Sequence, residues 1–452
     1  MEKENLLHLL QNRQFKQVRE ILENMNEVDM AEILSDFEDK EMAFVFRLIP
    51  KDKAAEVFAN LEDAMQSYLV EIFSEKELED LLDDLYMDDT VDMLEDLPAN
   101  LVSRVLDIVS PSKRTQLNTL LQYEGDSAGS IMTTEYVSLR SFMTVAETMA
   151  HIKRTGIKKE NIYTCYVTEK RKLIGIVSAK NLLTSEDDML IENLMEKEII
   201  SVNTHTDQEE VSDLFAKYDL IALPVLDSDN HLVGIVTFDD AIDVMVEEDT
   251  EDISKMAAVN PSEKPYFETS VWKHAKNRFT WLLVLMLSAT IAGGIIQYYH
   301  SVIVGTDTIL NPGTMFALLT TFYPMLMNTG GSGGAQASAL IIRGIALKEI
   351  AFKDLPKAVF MEFRIALIVG SILAVANGVR IFVIHHDLTL AIVIALSLIG
   401  TMIVSKITGC SLPLIAKKIK MDPAVMAAPL ITTIVDALAL VIFFNVAIWL
   451  MR

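Results

Sequence analysis

Near its end the chain reads PLITTIVDALALVIFF, residues 429–444, an apolar stretch that holds one carboxylate, Asp436. An ionised Asp at the centre of a membrane-crossing helix costs about 2.5–3.5 kcal/mol on insertion scales. Such a residue faces a cavity, an ion path or a partner, or is a neutral, hydrogen-bonded structural group. Thr432 is one turn and Pro429 two turns away on the same helical face. Pro429 also frees the carbonyl of Val425, four residues earlier. A carboxylate, free carbonyls and room for water form the donor set of a hard cation.

The segment YPMLMNTGGSGGAQASALIIRGIAL has the same promise. Pro324 is followed by Gly330, Gly331, Gly333 and Gly334, a pattern that predicts a broken or wide-turned span whose freed carbonyls could also meet a cation. Close helix packing at small residues is the competing reading. At about 1.5 Å per residue, Asp436 lies roughly 22 Å inward from Met451, and Asn328 to Gly331 lie roughly 24–28 Å inward from Pro312. The two features fall at one level.

Five apolar runs must position these groups: 281–299, 312–347, 358–379, 388–416 and 424–451. Lys and Arg concentrate after the second run (Arg343, Lys348, Lys353, Lys357) and after the fourth (Lys417, Lys418, Lys420). The first outer loop, HSVIVGTDTIL, has none and the loop after the third run has only Arg380. By the positive-inside rule the amino terminus is expected in the cytoplasm and the carboxyl terminus outside. Lys406 is expected to snorkel to the inner surface, with Glu362 and Arg364 near it, leaving Asp436 as the one deep charge.

The chain has 452 residues, 64 acidic and 39 basic, for a formal charge of −25. About 56 of the acids and 25 of the bases precede residue 268, so the front half is acidic and soluble, which argues against nucleic acid and for cations. Its start, MEKENLLHLLQNRQFKQVRE, lacks the uninterrupted apolar core of a secretory signal. Cys165 and Cys410 lie far apart and suggest ordinary free thiols. To residue 126, short amphipathic patterns end in acidic or proline-bearing turns, as a stack of helical hairpins would. Its acid-rich LEDLLDDLYMDD is in the bland reading a solvated face.

From 127 to 249 strands alternate with helices and the pattern repeats, each copy having a Met-containing entry and a strand ending LIGIVS or LVGIVT before a helix. This resembles a tandem pair of CBS domains; YTCYVT, where the family has an apolar strand, departs from it. Such pairs either hold an adenine nucleotide, which would place Thr237 and Asp239 at the ribose, or serve as a dimer interface. A connector, 250–279, carries Pro261 and Pro265 as breaks and leads to the spans.

An acidic all-α domain, an α/β CBS pair, a connecting helix and five spans (280–452) with PMLMNTGGSGGAQASALIIRG and MDPAVMAAPLITTIVD together resemble the MgtE family of magnesium channels over essentially the whole chain. The resemblance implies a homodimer in a lipid bilayer. It implies a magnesium pore on the dimer axis with Asp436 as ligand, and with Thr432, Asn328, Gly331, Pro324, Gly330 and Gln336 along it. Ala428 stands where relatives are often polar, leaving only its carbonyl. It also implies a plug-like connector and acidic faces that close the pore when magnesium binds them, with candidates Asp88, Asp89 and Asp92 and, in the connector, Glu247, Glu248, Asp249, Glu251 and Asp252. Magnesium keeps its waters, so one or two carboxylates suffice. The rival readings are a proton-coupled divalent-cation carrier, a nucleotide-sensing membrane scaffold, and an intramembrane aspartyl protease. The last needs two deep carboxylates sharing a proton. No glycine-lysine nucleotide-hydrolysis motif is present.

Overall fold

Apolar trios at helical spacing, each cut off by an acidic or proline turn, dictate helices too short to stand alone. In the computed structural model, which describes residues 6, 8–10, 12–262, 266, 267, 269–305, 312–426 and 428–451, these are α1 (Phe15–Glu23), α2 (Glu27–Ser35), α3 (Asp39–Phe46), α4 (Lys51–Ala59), α5 (Asp63–Ile72), α6 (Glu75–Asp84), α7 (Met87–Asp96), α8 (Ala99–Ile108) and α9 (Pro111–Leu120). Asn26 accepts from the amide of Val28 at 3.0 Å to start α2, and Ser74 and Glu77 form a reciprocal cap on α6. Helix ends are satisfied from about one repeat further on. Lys53 donates to the carbonyl of Met25 at 2.7 Å, Arg104 to those of Val70 and Glu71 at 2.6 and 2.9 Å, and Lys113 to that of Leu85 at 2.8 Å. One core runs from Val18 through Phe58 and Leu78 to Leu120 and on into the second CBS copy at Val211 and Val236. Each such large side chain contributes about 1.5–3 kcal/mol by burial.

The CBS pair follows: β1 (Tyr136–Leu139), α10 (Val145–Thr155), β2 (Asn161–Glu169), β3 (Lys172–Ser178), α11 (Ala179–Thr184), α12 (Ile191–Leu194), β4 (Val202–Asn203), α13 (Gln208–Tyr218), β5 (Ala222–Leu226), β6 (Leu232–Thr237) and α14 (Phe238–Met256). Both sheets have three strands, the first pair parallel and the second antiparallel. The copies interlock through their entries. Thr133 exchanges backbone hydrogen bonds with Ile235 at 2.8 and 2.9 Å, and Glu196 with Ile176 at 2.9 and 3.0 Å, so each entry joins the other copy's last strand. This is why the strands read GIV: a Cβ on Gly234 would stand 2.6 Å from Met132 Sδ, and one on Gly175 2.5 Å from Met195 Sδ. The unusual YTCYVT is a strand with Cys165, Tyr166 and Val167 fully buried.

The first compact unit ends at Val246 and the second, Glu247–Arg452, holds the end of α14 and the apolar helices. These are α15 (Val271–Val304), α16 (Pro312–Thr320), α17 (Tyr323–Ala346), α18 (Leu355–His385), α19 (Leu388–Lys418) and α20 (Ala428–Met451). Among the described residues four segments are long and apolar enough to cross a membrane: α15, α18 with its preceding turn, α19 and α20 with its preceding turn. The remaining run is split into α16 and α17. Pro265 and loop residues 306–311 lie outside the described residues.

The split corrects one expectation. The break falls before Tyr323, and Pro324, in the first turn of α17, costs no hydrogen bond there. The glycines lie within a continuous helix and are buried. Cβ atoms on Gly330 and Gly331 would meet Thr401 Cγ2 at 2.6 Å and Thr432 Cγ2 at 3.0 Å, so the run lets α17 press against α19 and α20 instead of baring its carbonyls.

Candidate ion path and acidic clusters

Helices α17, α19 and α20 pack against one another. On α20, Asp436 is half-buried, and among the described residues no group donates a hydrogen bond to its carboxylate. Thr432 abuts Gly331, one turn further in, and its hydroxyl donates to the carbonyl of Pro429 at 2.9 Å. Thr433 donates to the same carbonyl at 3.0 Å. Ala428 is the first residue of α20. On α17, Asn328, Ser332 and Gln336 are exposed at successive i, i+4 positions, while Gly330, Gly331, Gly333 and Gly334 face inward. Such a polar stripe suits water or a second copy of the chain far better than lipid.

Asp436 is not the only charge buried among these helices, which corrects a second expectation. Lys406 on α19 is 6% exposed and pairs with Glu362 on α18, 8% exposed, at 3.8 Å. It has no need to snorkel because a partner carboxylate is buried with it. The neighbouring Ser405 hydroxyl donates to the carbonyl of Gly330. Both charges were visible in their apolar runs; their burial as a pair was not.

In the first unit a knot of carboxylates joins α7 to the CBS pair. Asp88 is 4% exposed; burial first, then Glu160 and Asp240, drive its pKa well above the carboxylate range. Its carboxyl is hydrogen-bonded to Glu160, itself raised to about 7 by burial, and Asp240 is raised to about 7 by burial and Asp239. Burial and Asp239 lift Asp89 to about 6, and burial raises Glu135. One oxygen each of Asp88, Glu135 and Glu160 is buried without a partner among the described residues. Asp92 is exposed on the same helix. Glu135, Glu160 and Asp240 were not among the candidates, because they enter from three separate strand ends. Thr237 donates to Asp240 Oδ2 at 2.5 Å, whereas Asp239 is exposed. In the first copy Ser178 accepts from the amide of Asn181 at 3.1 Å.

In the second unit, Glu247 and Asp249 are exposed and Glu248 is partly buried on α14. Lys255 sits between Glu251 at 2.6 Å and Asp422 at 2.7 Å. Burial, followed by Asp422, raises the pKa of Asp252 beside them. Among the described residues no three His, Cys, Asp or Glu side chains form a ready metal cage.

Three comparisons with known proteins bear on these features. Family models match three parts of the chain: "MgtE: Divalent cation transporter" at 323–446, "MgtE intracellular N domain" at 25–126, and "CBS domain" at 128–187 and 191–247. The magnesium transporter MgtE of Thermus thermophilus is 32% identical over 98% of this chain and 97% of its own length. Its counterpart in Bacillus subtilis is 30% identical over 98% of this chain and 96% of its own. A crystal structure of the cytosolic domain of the Mg2+ channel MgtE in complex with ATP is 34% identical, with a TM-score of 0.51, covering 54% of this chain and 99% of that one.

Proposed function

The chain belongs to the MgtE family of divalent-cation transporters, and from that premise we propose that it carries magnesium across the membrane as a homodimeric channel. The observation that carries this reading is Asp436: a carboxylate without a partner among the described residues, in an apolar helix, at the level where α20 meets the glycine run of α17. A twofold axis would bring two copies of Asp436 to one path, with Asn328, Ser332 and Gln336 as water-facing wall. Magnesium passes with its hydration shell, so two carboxylates and the hydroxyl and carbonyl oxygens at Thr432, Ala428 and Gly331 offer enough. With the soluble unit in the cytoplasm and the carboxyl terminus outside, as the loop charges argue, an inside-negative potential contributes about 4.6 kcal/mol per 100 mV for a divalent ion, twice the single-charge value.

Cytosolic magnesium closes the path. The carboxylates around Asp88, Asp89 and Glu160 repel one another when ionised, and a divalent ion bound among them favours the packed arrangement. Asp92 and the connector acids Glu247, Glu248, Asp249, Glu251 and Asp252 add weaker sites. Several weak sites acting together suit a millimolar sensor. An adenine nucleotide would sit in the CBS pair at Thr237 with Asp239 or Asp240, a proposal supported by the ATP complex of the related cytosolic domain.

Magnesium uptake into proteoliposomes tests the pore. Asp436→Ala should abolish most of the uptake and Asp436→Asn should reduce it strongly. Wild-type uptake in both would end the assignment, and uptake that vanishes without a pH gradient would favour a proton-coupled carrier.

A further inference from the structure

A cavity of about 410 Å³ opens between α9 of the helical domain and the CBS pair, lined by Thr115 and Thr119 on one side and by Tyr136, Arg140, Thr168 and Arg171 on the other. None of its lining residues is acidic, although acids outnumber bases about two to one in this part of the chain. It is also distinct from the strand-end pairs of the CBS copies, because neither Thr237 with Asp240 nor Ser178 with Asn181 lines it.

The backbone fixes the Arg140 guanidinium and the position from which Arg171 enters the cavity lining. Arg140 leaves β1 and donates Nη1 to the carbonyl of Thr168 at 3.1 Å, while the Thr168 hydroxyl, buried on β2, lies 2.9 Å from Ser138 Oγ. Arg171 sits with Lys170 in the two-residue turn joining β2 to β3, both with positive φ, and its carbonyl accepts from the amide of Leu232 at 2.9 Å. Neither arginine has a carboxylate within ion-pair distance among the described residues. Two arginines without counter-ions, ringed by hydroxyls, are a donor set for phosphate oxygens. Leu120, Met132 and the rings of Tyr123 and Tyr136 supply an apolar wall beside it, and the volume is that of a small-ligand site.

We propose that this cavity binds a small phosphate-bearing molecule of the nucleotide class, whose phosphate is held by Arg140 and Arg171 and whose body lies against Tyr136, bridging α9 to the CBS pair. This ligand is additional to any nucleotide at Thr237, and the inference does not depend on the pore.

The test is calorimetry on the full-length protein in detergent and metal-free buffer, titrated with inorganic phosphate, pyrophosphate, AMP and ATP. At least one of these binds, and Arg140→Ala with Arg171→Ala weakens it about tenfold or more, as loss of charge-assisted hydrogen bonds requires. Thr115→Glu with Thr119→Glu, on exposed helix positions, should weaken it as much without altering the melting temperature, which separates repulsion from misfolding. Thr237→Ala leaves this binding intact. AMP binding more tightly than phosphate identifies the nucleotide class, and equal binding identifies free phosphate as the source. The proposal is overturned if no probe binds, if the arginine and glutamate variants both bind like wild type, or if Thr237→Ala alone removes all binding. Magnesium uptake by the arginine and glutamate variants in ligand-free vesicles should match wild type, so failure here is distinguishable from failure of the transport reading.

Discussion

A lysine in the middle of an apolar helix is stable only while its partner stays. Lys406 and Glu362 are both almost fully buried and 3.8 Å apart. Removing one charge of such a pair leaves the other desolvated and costs about 3–5 kcal/mol, whereas replacing both by apolar groups is often neutral. Lys406→Met or Glu362→Leu alone should therefore lower the melting temperature in detergent sharply, and the double variant should recover most of the loss. Additive losses in the double-mutant cycle would show that the two side chains do not act as a pair. Both residues were plain in the sequence, but their pairing depends on how two helices are rotated against each other, which hydropathy does not encode. Asp436 was legible for the opposite reason, since a lone carboxylate in an apolar run needs no partner to be noticed.

Elements repeat this division. The doubled CBS pattern could be read because its period survives in the residues, and the Met-containing entries and GIV strands now have a shared cause in the exchanged bridges of Thr133 with Ile235 and Glu196 with Ile176. The glycine run of α17 misled, because glycine both loosens a helix and lets helices touch, and only the neighbours decide which property is used. A Cβ on Gly409 of α19 would collide with the backbone of Gly334, while one on Gly293 of α15 would meet nothing within 4 Å. Helix propensity alone favours alanine over glycine by about 1 kcal/mol at either site. Gly409→Ala should thus destabilise the helical bundle and cut uptake, whereas Gly293→Ala should leave melting unchanged or slightly raised. Equal responses to the two substitutions would remove close packing as the purpose of the small residues.

At the scale of the whole molecule, the acidic excess is a conditional liability concentrated where α7 meets the CBS pair. No local sequence pattern revealed that place, since Glu160 and Asp240 converge on Asp88, and Glu135 on Asp89, only after the chain has folded. The folded unit raises Asp89 from 3.8 to about 6, Glu160 from 4.5 to about 7 and Asp240 from 3.8 to about 7, each chiefly by burial. Because these folded values exceed the unfolded ones, the folded form binds more protons. The stability they contribute is complete below the unfolded values and is lost as the pH rises through 6 to 7. In chelator, the protection factors of the α7 amides in the full-length protein, corrected for the intrinsic base-catalysed rise of exchange with pH, should therefore be high near about pH 5 and lower near about pH 8. Added magnesium replaces protons as the neutralising charge, so it should slow exchange strongly at the higher pH and little at the lower. Near neutral pH its binding should release protons, seen as a calorimetric heat that changes with the buffer's ionisation enthalpy. Protection factors of α7 that ignore both pH and magnesium would mean that these carboxylates do not govern the packing of the helical domain on the CBS pair, and the proposed magnesium sensor would have to lie elsewhere.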